Sequence, residues 1–145
     1  MPQTVEDALK RATLYSDDML YCFVQLPPNG ALAATSLAAE ARDPFIALVI
    51  DKDEVSLLVP EEDYEEFSGR LRDHTLSESR YRLITFDVQL EHSLFGFMAR
   101  VSEALADAGI SILPFAAYSR DHIFVSADDY DSAIAVLQDL KAEYE

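Results

Sequence analysis

Within the six positions from Glu91 to Gly96 the chain gathers a carboxylate, an imidazole, a hydroxyl and a glycine, in the order Glu91-His92-Ser93-Leu94-Phe95-Gly96. The segment lies between a strand-like pattern and a helix-like one, which suits it to binding rather than bond cleavage. A helix N-terminus leaves backbone N–H groups without intrahelical acceptors and carries the positive end of the helix dipole, so it favours a carboxylate or phosphate. Gly96 would let such a ligand approach the backbone closely. The same residues would serve equally well as structure, with Ser93 as a helix cap and Gly96 as a packing glycine. A nucleophilic or metal-assisted reaction finds no matching constellation. His74, His92 and His122 are scattered, and the single cysteine, Cys22, sits in an apolar run. There is no nucleophile elbow, Walker loop or H-E-x-x-H. No catalytic residue, metal site or cofactor is therefore expected, and the chain is read as a non-enzyme. The acidic group Glu61, Glu62, Asp63, Glu65 and Glu66 reads as a solvated helix start favoured by the dipole. Its spacing is not that of a calcium loop.

The elements that position Glu91 to Gly96 follow from periodicity. Ile84, Phe86, Val88 and Leu90 alternate with Thr85, Asp87 and Gln89, the pattern of a strand with one face in the core. Leu94, Phe97, Met98, Val101, Leu105 and Ala108 recur at helical spacing, which predicts a helix that starts near Ser93 and ends at a left-handed Gly109. Ile110 to Ala117 and His122 to Val125 then read as strands across the Ser119-Arg120-Asp121 turn, with Asp121 stabilising the turn. Tyr130, Ile134, Leu137 and Leu140 mark a closing helix. Pro114 places its strand on a sheet edge, because proline cannot donate to a ladder.

The upstream half echoes this order. Val24-Gln25-Leu26 matches Val88-Gln89-Leu90, and Val59-Pro60-Glu61-Glu62-Asp63-Tyr64 matches Val125-Ser126-Ala127-Asp128-Asp129-Tyr130, an internal duplication in nearly constant register. The upstream copy has strands over Tyr21 to Leu26, Phe45 to Ile50 and Val55 to Val59, with a turn at Asp51-Lys52-Asp53. Its crossover, broken by Pro27-Pro28-Asn29-Gly30 and Ala-rich to Arg42, reads as a loop or a reduced helix. Thr4 to about Leu14 reads as a capped helix, and His74 to Arg80 as a polar linker. Neither half shows a fourth strand of its own, so strands are expected to be exchanged between halves or between chains.

Composition bounds the partners. The chain has 145 residues, 50% hydrophobic, with 11 Lys+Arg against 27 Asp+Glu and a formal charge of −16. That is ample apolar content for a packed core. The charge opposes nucleic acid and anionic membranes, and it weights small ligands toward zwitterions and cations. A lone cysteine, no leader-like N-terminus and no apolar run of membrane length point to a cytoplasmic protein.

Phe86-Asp87-Val88-Gln89-Leu90, Ser93-Leu94-Phe95-Gly96, the run from Val101 to Ile112 and Tyr118-Ser119-Arg120-Asp121-His122-Ile123-Phe124-Val125 carry a family resemblance, strongest in the second half. On these residues the chain resembles the ACT domain superfamily, and most closely the tandem-ACT proteins of the CASTOR-type amino-acid-sensor group. Leu57-Leu58-Val59-Pro60-Glu61-Glu62 carries the resemblance weakly in the first half. It implies an α+β fold of two tandem ferredoxin-like βαββαβ units with antiparallel sheets, the first with a reduced crossover helix. The expected divisions are an N-terminal helical segment over 1–20, a degenerate unit over 21–74 and a second unit over 81–145. The resemblance also implies a regulatory protein that holds a small ligand, an amino acid, at the junction of its units and reports to a regulated protein partner, with a homodimer as the expected assembly. Carried across, its ligand contacts fall on Glu91, His92, Ser93, Leu94, Phe95, Gly96, Ile112, Leu113 and Asp121. The alternative is an interaction or oligomerisation module without a small ligand, pairing through exposed edge strands.

Overall fold

The computed structural model describes residues 2–41 and 45–145. Arg42, the last residue of the Ala-rich run, lies outside the described residues. The elements in chain order are α1 (Val5–Arg11), β1 (Thr13–Tyr15), β2 (Tyr21–Leu26), α2 (Ala31–Glu40), β3 (Ala47–Ile50), β4 (Val55–Pro60), α3 (Glu61–Phe67), β5 (Thr75–Leu76), β6 (Tyr81–Asp87), α4 (Phe97–Asp107), β7 (Ile112–Ala116), β8 (Asp121–Ser126) and α5 (Tyr130–Ala142). They fall into two compact units, one of residues 19–81 and one of residues 1–18 with 82–145.

In the unit of residues 19–81 the strands run in the order β5-β2-β4-β3, all antiparallel. This is the ferredoxin-like βαββαβ arrangement, and its fourth strand is β5. Thr75 and Leu76, in the segment expected to be a polar linker, pair with Gln25 and Val24. The crossover is the ten-residue helix α2, entered through a 3-10 turn over Pro28–Gly30. Gly30 is required there by space, since a Cβ would come within 2.8 Å of Leu26 Cβ. Ala34 and Leu37 of α2 pack with Cys22, Val24, Leu26, Val55, Leu57 and Val59 in this unit's core. The β3–β4 turn is closed by Asp51, whose Oδ1 accepts from the N–H groups of Asp53 (2.8 Å) and Glu54 (2.9 Å).

The other unit repeats the arrangement with the order β1-β6-β8-β7. Its fourth strand comes from the opposite end of the chain, because Thr13, Leu14 and Tyr15 pair antiparallel with Asp87, Phe86 and Thr85. Both fourth strands are thus supplied within one chain, which answers the expected exchange. The helix expected to run to Leu14 stops at Arg11, and Leu14 lies in β1. Thr4 caps α1, its Oγ1 accepting from Asp7 N–H at 3.1 Å. Ala8, Leu9 and Ala12 are fully buried with Ile84, Phe86, Val101, Leu105, Ile123, Val125 and Leu137, so the N-terminal helix is part of this core. β7 pairs with β8 at the end of the strand order, where Pro114 faces Ile123.

Two local expectations are corrected. The alternating strand ends at Asp87, and within it Leu83, Ile84, Thr85 and Phe86 are all buried, so it is covered on both faces. Thr85 tolerates burial because its hydroxyl is hydrogen-bonded to His122 Nδ1 at 2.8 Å. The helix also starts four residues later than Ser93. Gly96 is the N-cap, in left-handed conformation at φ 89°, and Ser93 lies in a turn closed by Leu94 N–H donating to the Glu91 carbonyl at 3.0 Å. At the other end Gly109, at φ 74°, forms the expected left-handed cap. Its N–H bonds the Ala106 carbonyl and the Ile110 N–H bonds that of Leu105, both at 2.9 Å, a Schellman closure.

Candidate functional site

Between the end of β6 and the start of α4 the chain makes a nine-residue loop, Val88 to Gly96, against the β7–β8 turn. Three contacts tie the two together. Leu90 N–H donates to the Ser119 carbonyl (2.7 Å), His92 Nε2–H donates to the Tyr118 carbonyl (2.7 Å), and the His92 and Tyr118 rings meet edge-on with centroids 4.5 Å apart. The carbonyl bond fixes which ring nitrogen of His92 carries a proton and leaves Nδ1 as an acceptor in the neutral ring. Arg120 in the turn reaches back to β6, its Nε donating to Asp87 Oδ1 at 2.8 Å.

These pieces enclose a pocket of about 360 Å³. Its walls are the loop, at Leu90, Glu91, His92 and Leu94, the first turn of α4, from Gly96 to Ala99, and the turn from Ala116 to Asp121. The helix start has no side-chain cap, and its first bond is from Arg100 N–H to the Gly96 carbonyl at 3.0 Å. The N–H groups of Phe97, Met98 and Ala99 therefore have no intrahelical acceptor, and these three residues line the pocket. Asp121 lines the same pocket, and burial raises its pKa above the ordinary carboxylate value. No hydrogen bond or ion pair engages the Asp121 side chain among the described residues. An adjoining cavity shares the Leu90–His92 and Tyr118–Arg120 walls and adds Arg11. The Arg11 guanidinium likewise has no ion-pair partner among the described residues.

Of the residues expected to bind ligand, Glu91, His92, Leu94, Gly96 and Asp121 share this pocket. Ser93 and Phe95 line a different cavity with Pro2 to Glu6, and Phe95 is 88% exposed. Ile112 and Leu113 lie half-buried in β7, away from the pocket wall, because the strand presents its far end, Ala116, to the site. A Cβ at Gly96 would meet only Val5 Cγ2, at the ordinary distance of 3.7 Å, so within the protein it is the left-handed backbone angle that calls for glycine. Sequence reasoning missed Leu90, Met98 and the turn residues Tyr118, Ser119 and Arg120. The repeated Val-Gln-Leu ending in Leu90 was visible, but its pairing with Ser119 is a long-range contact that no local period reports.

The remaining candidates for chemistry stay structural. Cys22 is fully buried, and burial pushes its thiol up to about 11, so it is held protonated. Burial and then Arg120 lower the pKa of His122. His74 accepts from the Tyr64 hydroxyl at Nε2 (2.7 Å) while Nδ1–H donates to the Leu71 carbonyl (2.5 Å), a brace between α3 and the segment after it. No group of three metal-ligating side chains occurs among the described residues, and none of their helices is long and apolar enough to cross a membrane.

Residues 76–139 match the sequence model of the ACT domain. That segment is thus similar to the ACT domain. The solved structures it resembles cover nearly its whole length. A Vibrio cholerae protein of unknown function, described as a possible transport protein, is 27% identical with a TM-score of 0.70, the match covering 95% of this chain and 96% of that one. An Agobacterium tumefaciens protein is 18% identical, TM-score 0.70, with 90% of each chain covered. The regulatory subunit of aspartate kinase from Thermus flavus is 14% identical, TM-score 0.67, covering 88% of this chain and 95% of that one. The latter two likenesses speak for the fold alone. No curated protein matches the chain.

Proposed function

We propose that this chain is a non-catalytic regulatory module whose ligand is a free amino acid, held in the pocket between the Val88–Gly96 loop and the β7–β8 turn. The observation that carries the reading is the pairing, in one small pocket, of an uncapped helix start with an Asp121 carboxylate that has no ion-pair partner. The α-carboxylate of an amino acid would accept from the first-turn N–H groups of α4, its ammonium would pair with Asp121, and its side chain would lie against Leu90, Leu94 and Met98. A zwitterion satisfies both ends without adding net charge to a chain already at −16. The ACT match over residues 76–139 supports the regulatory part. Affiliation with the CASTOR-type sensors belongs to the same proposal and draws on the duplicated architecture.

A thermal-shift screen with each common L-amino acid tests it. A ligand present at a hundred times its Kd stabilises by about 2.7 kcal/mol, readily seen as a rise in Tm. Asp121→Asn should weaken the best binder at least about tenfold, since a charge-assisted hydrogen bond contributes roughly 1.5–3 kcal/mol. The N-acetyl derivative of that amino acid, which lacks the ammonium, should give no shift. If no amino acid shifts the wild type, the reading fails; if Asp121→Asn binds unchanged, the assignment of the ammonium site fails.

A second reading, a protein-interaction module, draws on the exposure of Phe95 (88%) and Tyr118 (85%) beside the pocket. It requires a stable oligomer, such as a homodimer, whose sedimentation is indifferent to every amino acid.

A further inference from the structure

The loop that walls the pocket is held from outside by the N-terminal segment. The Gln3 side chain makes two reciprocal bonds to the loop backbone, its Nε2 donating to the Gln89 carbonyl (2.9 Å) and its Oε1 accepting from Glu91 N–H (2.8 Å). Gln3 N–H adds a bond to the Glu91 carboxylate at 3.2 Å. Farther along, Pro2 to Glu6 share a cavity with Ser93, Leu94 and Phe95, and Val5 lies beside Gly96. The segment thus follows the loop from Gln89 to the helix start. It is anchored in turn by the buried Leu9 of α1, by Ala12 just after that helix and by β1, whose Thr13 pairs with Asp87 at the point where the loop begins.

We propose that Gln3 is a positioning residue for the pocket: it mimics a strand partner for Gln89 and Glu91, presets the loop for ligand, and couples ligand binding to the seating of the N-terminal segment. The inference rests on the functional reading above for its ligand but not for the clamp itself. A preset loop loses less freedom on binding, and by linkage a ligand that favours the set loop also favours the seated segment. Glutamine suits the role because one amide supplies both a donor and an acceptor to successive peptide groups.

Hydrogen exchange of the unliganded protein tests the clamp directly. Gln3→Ala should speed exchange over residues 88–96 while leaving β8 and α5 unchanged, and Gln3→Glu, whose carboxylate would face the Gln89 carbonyl and lie near the Glu91 carboxylate in place of the donor, should not restore the wild-type rate. Equal exchange over residues 88–96 in wild type and Gln3→Ala would overturn the clamp, whether or not any amino acid binds. For the coupling, the L-amino acid giving the largest thermal shift is titrated against both proteins. Gln3→Ala should raise its Kd about tenfold, as expected if the set loop falls to about a tenth of the population without the clamp. That amino acid should also slow exchange over residues 2–15 in the wild type and do so less in Gln3→Ala. An unchanged Kd in the variant overturns the coupling, whereas a wild type that responds to no amino acid overturns the functional reading and leaves the clamp to be judged by exchange.

Discussion

Gly96 is called for by its backbone whatever binds beside it, since within the protein a Cβ would find ordinary space there. What an L side chain would meet is the left-handed backbone at φ 89°. Gly96→Ala is therefore expected to cost about 1–2 kcal/mol of stability, read from the urea midpoint of the purified protein. A neutral substitution would mean that the loop relaxes into another conformation. It follows that changing Gly96 is a poor test of binding, because lost stability and lost affinity would be confounded. Asp121→Asn is cleaner, being nearly isosteric and removing only the charge.

At the scale of elements, the N-terminal helix and strand prove to be integral parts of the unit they join. Leu9 is buried to 1% exposure in the core with Phe86, Phe97 and Leu137. Leu9→Ala should cost about 2–5 kcal/mol, the range for emptying a buried leucine site, and urea unfolding would measure it. A loss under about 1 kcal/mol would show that α1 does not contribute to the core as described. The duplicated pattern made three strands of each half legible, with both helices of the second half and the closing helix of the first, because amphipathic periods and turn residues are local signals; the ten-residue crossover α2, Ala-rich and without a clear apolar face, read only as a loop or a reduced helix. The fourth strands escaped it. Thr75–Leu76 is two residues long and Thr13–Tyr15 three, too short for alternation to register, and each is a strand only because a neighbour offers an unpaired edge.

For the whole molecule, acid response can be worked out from His122. Burial favours its neutral form, so its folded pKa lies below the ordinary 6.5. Between that depressed value and 6.5 the unfolded chain binds more protons, and stability must fall as pH drops through this window. Asp121 works in the opposite sense: its raised pKa makes the fold more stable below 3.8, an advantage lost as pH rises through the folded value. Urea titrations at pH 7.5, 6.5 and 5.5 should show decreasing stability for the wild type and a shallower decline for His122→Gln. Parallel declines would assign the acid sensitivity to other groups. At −16 the molecule also repels itself, and only part of its acidic charge is answered by surface pairs such as Arg82–Asp18 and Arg100–Glu143.

By itself the sequence determined the repeated strand-helix order, the edge position of Pro114, the caps at Thr4 and Gly109 and the acidic, zwitterion-favouring balance, since each depends on residue type and near neighbours. It also pointed to the Glu91–Gly96 segment. Only tertiary structure decided which of those residues line a common pocket, that Asp121 and the uncapped start of α4 both belong to it, and that Gln3, 88 positions from Glu91, bonds to the loop. Such contacts join segments far apart in the chain, and their energy comes from closing the fold as a whole; no local period or propensity encodes them.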